Sequence, residues 1–522
     1  MAIKLSKEES LFRNELVFTA DAKAVNIDNT LVNLFMLLKH NGIRPKQRAR
    51  SGSNTFIEIA TLKKVFSKLE DEGDIVGYKD NPEAAELWMR SNLVNMVNRG
   101  IVDKEKISSL RPIHLESYRV RNAANTRDYN TADQVYLMLG SNPTVKEDLK
   151  SFLMEGWDQT TNKINIGDGI DVDSLGLLHI IKNVKPGFLE SNSTLNQIKP
   201  ILEKQAELYC DDVRRLLVYK RLVPRNVLID YFKTITSFHL SLYIQKLIHL
   251  LPKMVESGKV EVEVEDDWSI VLDATDNFES KMAKISAEDS EALTNKIYDY
   301  VKANFQINAT LRRLKLDKSN SENLSGALKA LHCKPNDFEV YFETLWDNRY
   351  SSLDEEDKLL IQDMVKYEDT YFDRYTELIL KARGTYQYKY HIQLLDNLSQ
   401  KNNERGIMAQ GRSRKHPRRF VLGTRLLEAL VQILVLESKN NQFNTKTLSI
   451  EELIENIRNR YGLVINGLNE ERFNNADLQT HLAFKENVEA FKVKLRQIGF
   501  YSDLSDAYIL QRIRPRYQLN AQ

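Results

Sequence analysis

The stretch from Asn226 to Leu251, NVLIDYFKTITSFHLSLYIQKLIHLL, is apolar on almost every face. A helix of that kind has no wet side to present, so it must run through the middle of a fold and the rest of the chain has to cover it. Its polar residues form one narrow band. Asp230, Thr234, Ser237, Ser241 and Gln245 recur at steps of three and four, while Phe232, Phe238, Leu242, Tyr243 and Leu247 fill the remaining surface. The small side chains of the band predict another helix packed close against it. Asp230, Lys233 and Lys246 leave an uncharged run far shorter than the ~20 residues that a bilayer crossing needs, so no membrane contact is expected. His239 and His249 do not share a face, which favours a hydrogen-bonded core histidine over a metal site or an acid–base pair.

The neighbouring segments are also helical by pattern. A helix is expected from Pro200 to Val218, broken from the next by Pro224, and further helices fill the stretch from Ser286 to Asn402. Tyr367, Tyr371, Phe372 and Tyr375 lie among acids that would repel phosphate, so they read as a core or partner-binding face. Only 20 Gly and 11 Pro in 522 residues argue against the many tight turns of an all-β protein. The fold class is therefore mainly α, a multi-domain helical protein. The division expected is residues 1–110, an N-terminal helical domain with a basic loop; 111–402, a central helical domain; and 403–522, a C-terminal winged-helix-like domain. Within the central domain, KVEVEVEDDWSIVLDA alternates apolar and acidic residues and predicts a small β-hairpin near 259–273, turning at Asp266 and Asp267. Cys210 and Cys333 are too few for a disulfide framework and read as small core fillers in a reducing compartment. The first residues hold no apolar signal segment, which leads to the expectation of a cytoplasmic protein.

The last hundred residues carry a second pattern. Leu426, Leu427, Leu430, Ile433 and Leu434 make one apolar stripe on a helix expected from Phe420 to Glu437. Ser449 with Glu452 is a capping box for a second helix that stops at Gly462. A third helix, Glu486 to Ile498, precedes two short strands in FYSDLS and AYILQRIRPRY. Three helices and a terminal hairpin give the order of a winged helix, whose third helix reads a major groove while its flanks touch phosphates. With 74 basic and 73 acidic residues the chain has no global positive field, so any contact with double-stranded DNA must come from local patches. Two are present. IRPKQRARSGSN holds Arg44, Lys46, Arg48 and Arg50 in an expected mobile loop, and GRSRKHPRRF holds Arg412, Arg414, Lys415, Arg418 and Arg419 within eight positions. Lys492 and Arg496 on the third helix complete the candidate nucleic-acid contacts.

The runs LIDYFKTITSFHLSLYIQKLIHLLPKM, NNERGIMAQGRSRKHPRRFVLGTRLLEALVQILVLE and FKVKLRQIGFYSDLSDAYILQRIRPRY resemble poorly characterised subunits of multi-gene prokaryotic anti-phage defence systems. The resemblance covers roughly half the chain and carries no catalytic motif. It implies a bacterial protein that works beside an ATPase or a nuclease, and it assigns no role to any residue.

No catalytic residue, metal ligand or cofactor is assigned. The acids at 168, 171 and 173 fail an EF-hand count, since Leu175 and Lys182 stand where ligands are required, and helix capping explains them better. Walker, nucleophile-elbow and H-E-x-x-H motifs are missing from the sequence. The leading expectation is a non-enzymatic subunit of an anti-phage defence complex, a protein scaffold that also contacts DNA. One alternative is a kleisin-like bridge to an SMC-type ATPase. The other is a divergent metal-dependent nuclease using Glu261, Glu263, Glu265 and Asp273, although the alternating glutamates read more simply as the wet face of an edge strand.

Overall fold

The computed structural model describes residues 3–48, 58–94, 107–167, 169–184, 188–265, 268–413, 416–439, 442–501 and 512–519. It is mainly helical, and every sheet among the described residues has two strands. The apolar run forms one helix, Arg225–Ser257, which starts after Pro224 and ends where Gly258 adopts φ +71°. Ile235, Leu240, Leu242, Tyr243, Ile244 and Leu247 on different faces of it are all fully buried. Helices Glu203–Leu217, Ile297–Arg313, Glu322–Cys333, Tyr371–Leu398 and Thr424–Leu434 cover it. One contiguous core contains residues from Leu16 to Ile513.

The polar band is where the cover comes closest. Ser237 Oγ donates to the Leu398 carbonyl at 2.8 Å, and Ser241 Oγ meets Ser399 Oγ at 2.8 Å, so the end of the Tyr371–Leu398 helix is seated on the two serines. Further along, Gln245 Nε2 donates to Ser241 Oγ at 2.7 Å, and Arg405 closes the other end of the band on Asp230 at 2.9 Å. The N-terminal end of the central helix is fixed as firmly. The buried Arg225 guanidinium donates to the carbonyls of Ile113, Phe152 and Leu153 at 2.8, 3.0 and 3.1 Å. Asp171 uses both oxygens as caps, one on Ser174 N at 2.8 Å and the other on Asn226 N at 2.9 Å. Asp173 accepts from Trp88 Nε1 at 2.7 Å, while Asp168 lies outside the described residues.

The N-terminal segment forms turns, and Glu9 staples it to the outer helices. Its carboxylate takes Arg349 Nη2 at 2.5 Å, Arg349 Nε at 3.0 Å and Tyr375 Oη at 2.9 Å. Burial alone would raise Glu9, but the bonds from Arg349, Ser6 and Tyr375 outweigh it and hold the group at about 2, below its ordinary 4.5. Of the four aromatics expected on a core or partner-binding face, Phe372 and Tyr375 are core residues, Tyr371 is half-buried and Tyr367 is exposed.

Several expectations are corrected. The β-hairpin near 259–273 does not form: Val262–Glu265 is a helical turn, and Ile270–Val271 pairs in parallel with Leu463–Val464. Ile270, Val271, Leu272, Leu463, Val464 and Ile465 are all nearly inaccessible, so each apolar strand covers the other. An alternating Val/Glu strand would have carried its carboxylates into that dry site. The basic loop is a strand as far as it is described, Ile43–Arg48, antiparallel to Phe188–Thr194 with an irregularity between Ile43 and Pro45. Proline is tolerated there because a two-stranded ribbon leaves edge N–H groups unpaired anyway. Cys210 is buried as expected, but Cys333 ends its helix exposed. His239 is the hydrogen-bonded core histidine expected, with two side-chain partners, Gln205 and Asp212.

Two outcomes test these placements. Ser237→Phe or Ser241→Phe should cost about 1–3 kcal/mol by overpacking against the 398–399 turn; an unaltered denaturant midpoint for both would contradict it. Because Glu9 is held below its unfolded value, its contribution is present above about pH 4.5 and fades as pH falls toward 2. Glu9→Gln should therefore be less stable than wild type at pH 7, with the gap closing as acid is added. A gap that stays constant from pH 6 to 3 would show that the carboxylate's charge is not involved.

Candidate nucleic-acid interface

The terminal unit begins with helix Thr424–Leu434, whose leucine stripe is buried against the central helix. It stops before the expected Glu437 because Leu436–Lys439 turns back as a ribbon with Gln442–Thr445. The second helix, Ile450–Tyr461, has the expected caps: Glu452 N donates to Ser449 Oγ at 3.0 Å, Ser449 N donates to Glu452 Oε2 at 2.6 Å, and Gly462 has φ +71°. The third helix spans Leu478–Gln497, eight residues longer at its start than expected, because Asp477 caps Thr480 N at 2.8 Å. Arg512–Ile513 returns to pair antiparallel with Leu448–Ser449, directly ahead of the second helix. The expected hairpin tip falls on 502–511, outside the described residues.

A buried charge cluster fastens this unit to the body. Asp212, fully buried, accepts from His239 Nε2 at 2.8 Å, Tyr461 Oη at 2.7 Å and Arg460 Nε at 3.0 Å, and Arg460 also reaches Asp211 at 2.6 Å. Burial would raise the Asp212 carboxyl, yet the His239 bond and the Arg460 charge hold it below its ordinary range. Asp212 and His239 are both fully buried.

The structure separates the candidate basic residues sharply. Arg44 is bound at 2.7 Å to both Asp128 and Asp133, and although burial opposes its charge, the two acids hold the guanidinium above its usual range. Burial pushes Asp133 in turn up to about 6. Arg418 pairs with Asp396 at 2.7 Å. Arg419 is buried, donates to Asp273 at 2.6 Å and lies 4.2 Å over the Phe278 ring. These three guanidiniums are used inside the fold. Lys492 leans on Glu489 of its own helix at 2.8 Å, and Lys494, half a turn on, is buried against Asp276 at 2.9 Å. Arg496 is exposed and packs over Tyr501, and Arg412 is exposed. Lys46 and Arg48 belong to the strand at 43–48, and Arg50, Arg414 and Lys415 lie outside the described residues.

The outer stripe of the third helix mixes Leu478, Leu482, Glu486, Glu489 and Val493 with Lys485 and Arg496, so it is not a uniformly basic face. The groove of about 820 Å³ beside the second helix has Glu451, Glu455, Asn459 and Asn466 on its walls. Its two cations are already held by acids, Arg458 by Glu470 at 2.6 Å and Arg472 by Asp289 at 2.9 Å. One further face, which no motif in the sequence singled out, combines open cations with open aromatics on the outer helix around Lys389. Its signal was legible, since no acid occurs between Glu377 and Asp396.

The sequence model of one protein family, described as methylation-associated defense system protein MAD7, matches residues 7–517. None of the curated proteins matches the chain.

The split among the arginines is testable by stability alone. Arg419→Ala would leave Asp273 buried without its cation and should cost about 3–5 kcal/mol, whereas Arg412→Ala, at an exposed site, should stay within about 0.5 kcal/mol of wild type. Equal unfolding midpoints for the two variants would show that the buried pair does not hold the segment.

Proposed function

We propose that this chain, which belongs to the MAD7 family of methylation-associated defense system proteins and is thus a component of an antiviral defence system, acts there as a non-enzymatic scaffold that touches duplex DNA. In this reading the helical body binds other subunits of the system, an ATPase or a nuclease, in the cytoplasm, and the winged-helix-like terminal unit meets DNA. The observation that carries it is the pairing of Arg512–Ile513 with Leu448–Ser449. A strand that follows the third helix and returns beside the strand before the second is the connection a winged helix requires. Arg412, exposed, is followed in sequence by Arg414 and Lys415, and Arg496 is exposed on the third helix, so the unit carries cations that could meet phosphates.

The two alternatives fit less well. A metal-dependent nuclease built on residues 261–273 needs those acids gathered at one sheet edge. Residues 262–265 are a helical turn instead, and Asp273 is closed by Arg419 and Thr275. A kleisin-like bridge calls for small terminal domains joined by an extended middle, whereas here the core runs continuously through all three parts.

The test must spare Arg418 and Arg419, whose loss would confound folding with binding. The triple variant Arg412→Ala, Arg414→Ala, Lys415→Ala should bind duplex DNA more weakly for every sequence, and the slope of log affinity against log salt should flatten by roughly 0.9 for each phosphate left without its cation. Arg496→Ala should instead change sequence preference if its side chain reaches base edges. Wild-type affinity and slope in the folded triple variant would reassign the terminal unit to protein docking.

A further inference from the structure

We propose that the outer face of helix Tyr371–Leu398, between Lys381 and Gln393, binds a single DNA strand, with tyrosines stacking on bases and cations neutralising phosphates. The segment reads KARGTYQYKYHIQ and contains no acid. Lys381, Thr385 and Lys389 stand at steps of four along one exposed ridge, Tyr386 and Tyr390 along the next, and Arg383 beyond them is exposed as well. Lys381, Arg383 and Lys389 have no acidic partner among the described residues. The acids that bound the segment are already neutralised: Glu377 by Lys302 at 2.5 Å, and Asp396 by Arg418 at 2.7 Å and by Lys401. Net positive charge therefore stays on this face.

The aromatic half is held in place in advance. Tyr386 and Tyr390 lie 4.4 Å apart by ring centroid, and Lys23 from the N-terminal segment reaches over both rings, 4.9 and 4.1 Å from their centroids, while bonding to the Tyr386 hydroxyl. Tyr386 still keeps 43% of its surface exposed. Tyr298, 42% exposed, lies on the adjacent helix 6.2 Å from Tyr388, on the other side of this helix from the Tyr386–Tyr390 pair. It comes that close because Gly384 offers no side chain: a Cβ there would lie 2.8 Å from the Tyr298 hydroxyl. A partly exposed ring pair beside cations without acidic partners suits a strand whose bases are free to stack, and a duplex cannot offer its base faces. The choice of DNA over RNA rests on the duplex contact proposed above, because Asp396 ties the end of this helix to Arg418 of the same basic segment. The capture of a single strand does not depend on that contact.

The experiment measures anisotropy of labelled 15-mer oligothymidylate, oligouridylate and a duplex with the full chain over a salt series. Tyr386→Ala with Tyr390→Ala should weaken oligothymidylate binding by about tenfold or more, and leave duplex binding unchanged. Tyr386→Phe with Tyr390→Phe, which keeps the rings but loses the Lys23 bond, should bind as wild type does. Lys381→Ala, Arg383→Ala and Lys389→Ala together should flatten the salt slope by roughly 0.7 for each phosphate no longer neutralised. The proposal is overturned if the wild type does not retain the oligomer or if the alanine pair retains it fully. A preference for oligouridylate overturns the assignment to DNA. Loss of oligomer binding in the Arg412, Arg414 and Lys415 variant alone would place the strand on the terminal unit instead.

Discussion

A carboxylate with no access to water must be surrounded by donors or it will not stay charged, and Asp212 decides how the body and the terminal unit meet. It stands on helix Glu203–Leu217, and its donors come from two other helices: His239 of the central helix, and Arg460 and Tyr461 of the terminal unit. Nε2 faces the carboxylate and Nδ1 faces the Gln205 amide at 2.8 Å, and burial depresses the ring's pKa against the pull of Asp212. Arg460 brings a full positive charge to the carboxylate. Displacing the terminal unit would strand a buried anion, which makes the contact all-or-none.

Much of this arrangement was legible from local signals. A helix that is apolar all round predicts its own burial, and Ser449, Glu452 and Gly462 predict the ends of a helix because caps act within four residues. Asp171 was read as a cap for the same reason, although its second role, on Asn226 N, required knowledge of what lay alongside. Strand pairing was not legible in this way. The apolar run at 270–272 has its partner at 463–465, nearly two hundred residues on, and nothing in the local alternation of Val and Glu excludes the hairpin that would have paired it nearby. A pattern shows which face is dry. It does not show which distant segment will cover it.

Charge density was the least reliable guide, for a physical reason. An arginine beside a hydrophobic segment is as well placed to compensate a buried acid as to meet a phosphate, and the two uses leave the same trace in sequence. Within Arg412–Arg419 the structure assigns opposite fates to residues seven apart: Arg419 sits between Asp273 and the Phe278 ring, while Arg412 is in solvent. Arg44 repeats the lesson, since the Pro, Gly and Ser around it suggested mobility while Asp128 and Asp133 waited about ninety residues on. Counting basic residues overestimates a phosphate-binding surface unless the acids that consume them are subtracted first.

The same subtraction explains why the outer helix differs from the rest of the surface. Its C-terminal turn is committed to structure, with the Leu398 carbonyl and Ser399 on the central serines and Asp396 on Arg418. Its earlier buried positions, Phe372, Tyr375 and Ile379, are committed to the core. Glu377 is used to hold Lys302. What remains between them is a stretch anchored at both ends whose Lys381, Arg383 and Lys389 have no acidic partner among the described residues. The rigidity comes from contacts that face inward, and the acids on either side are taken up by Lys302, Arg418 and Lys401, so a fixed helix and a basic outer face are two results of one packing arrangement.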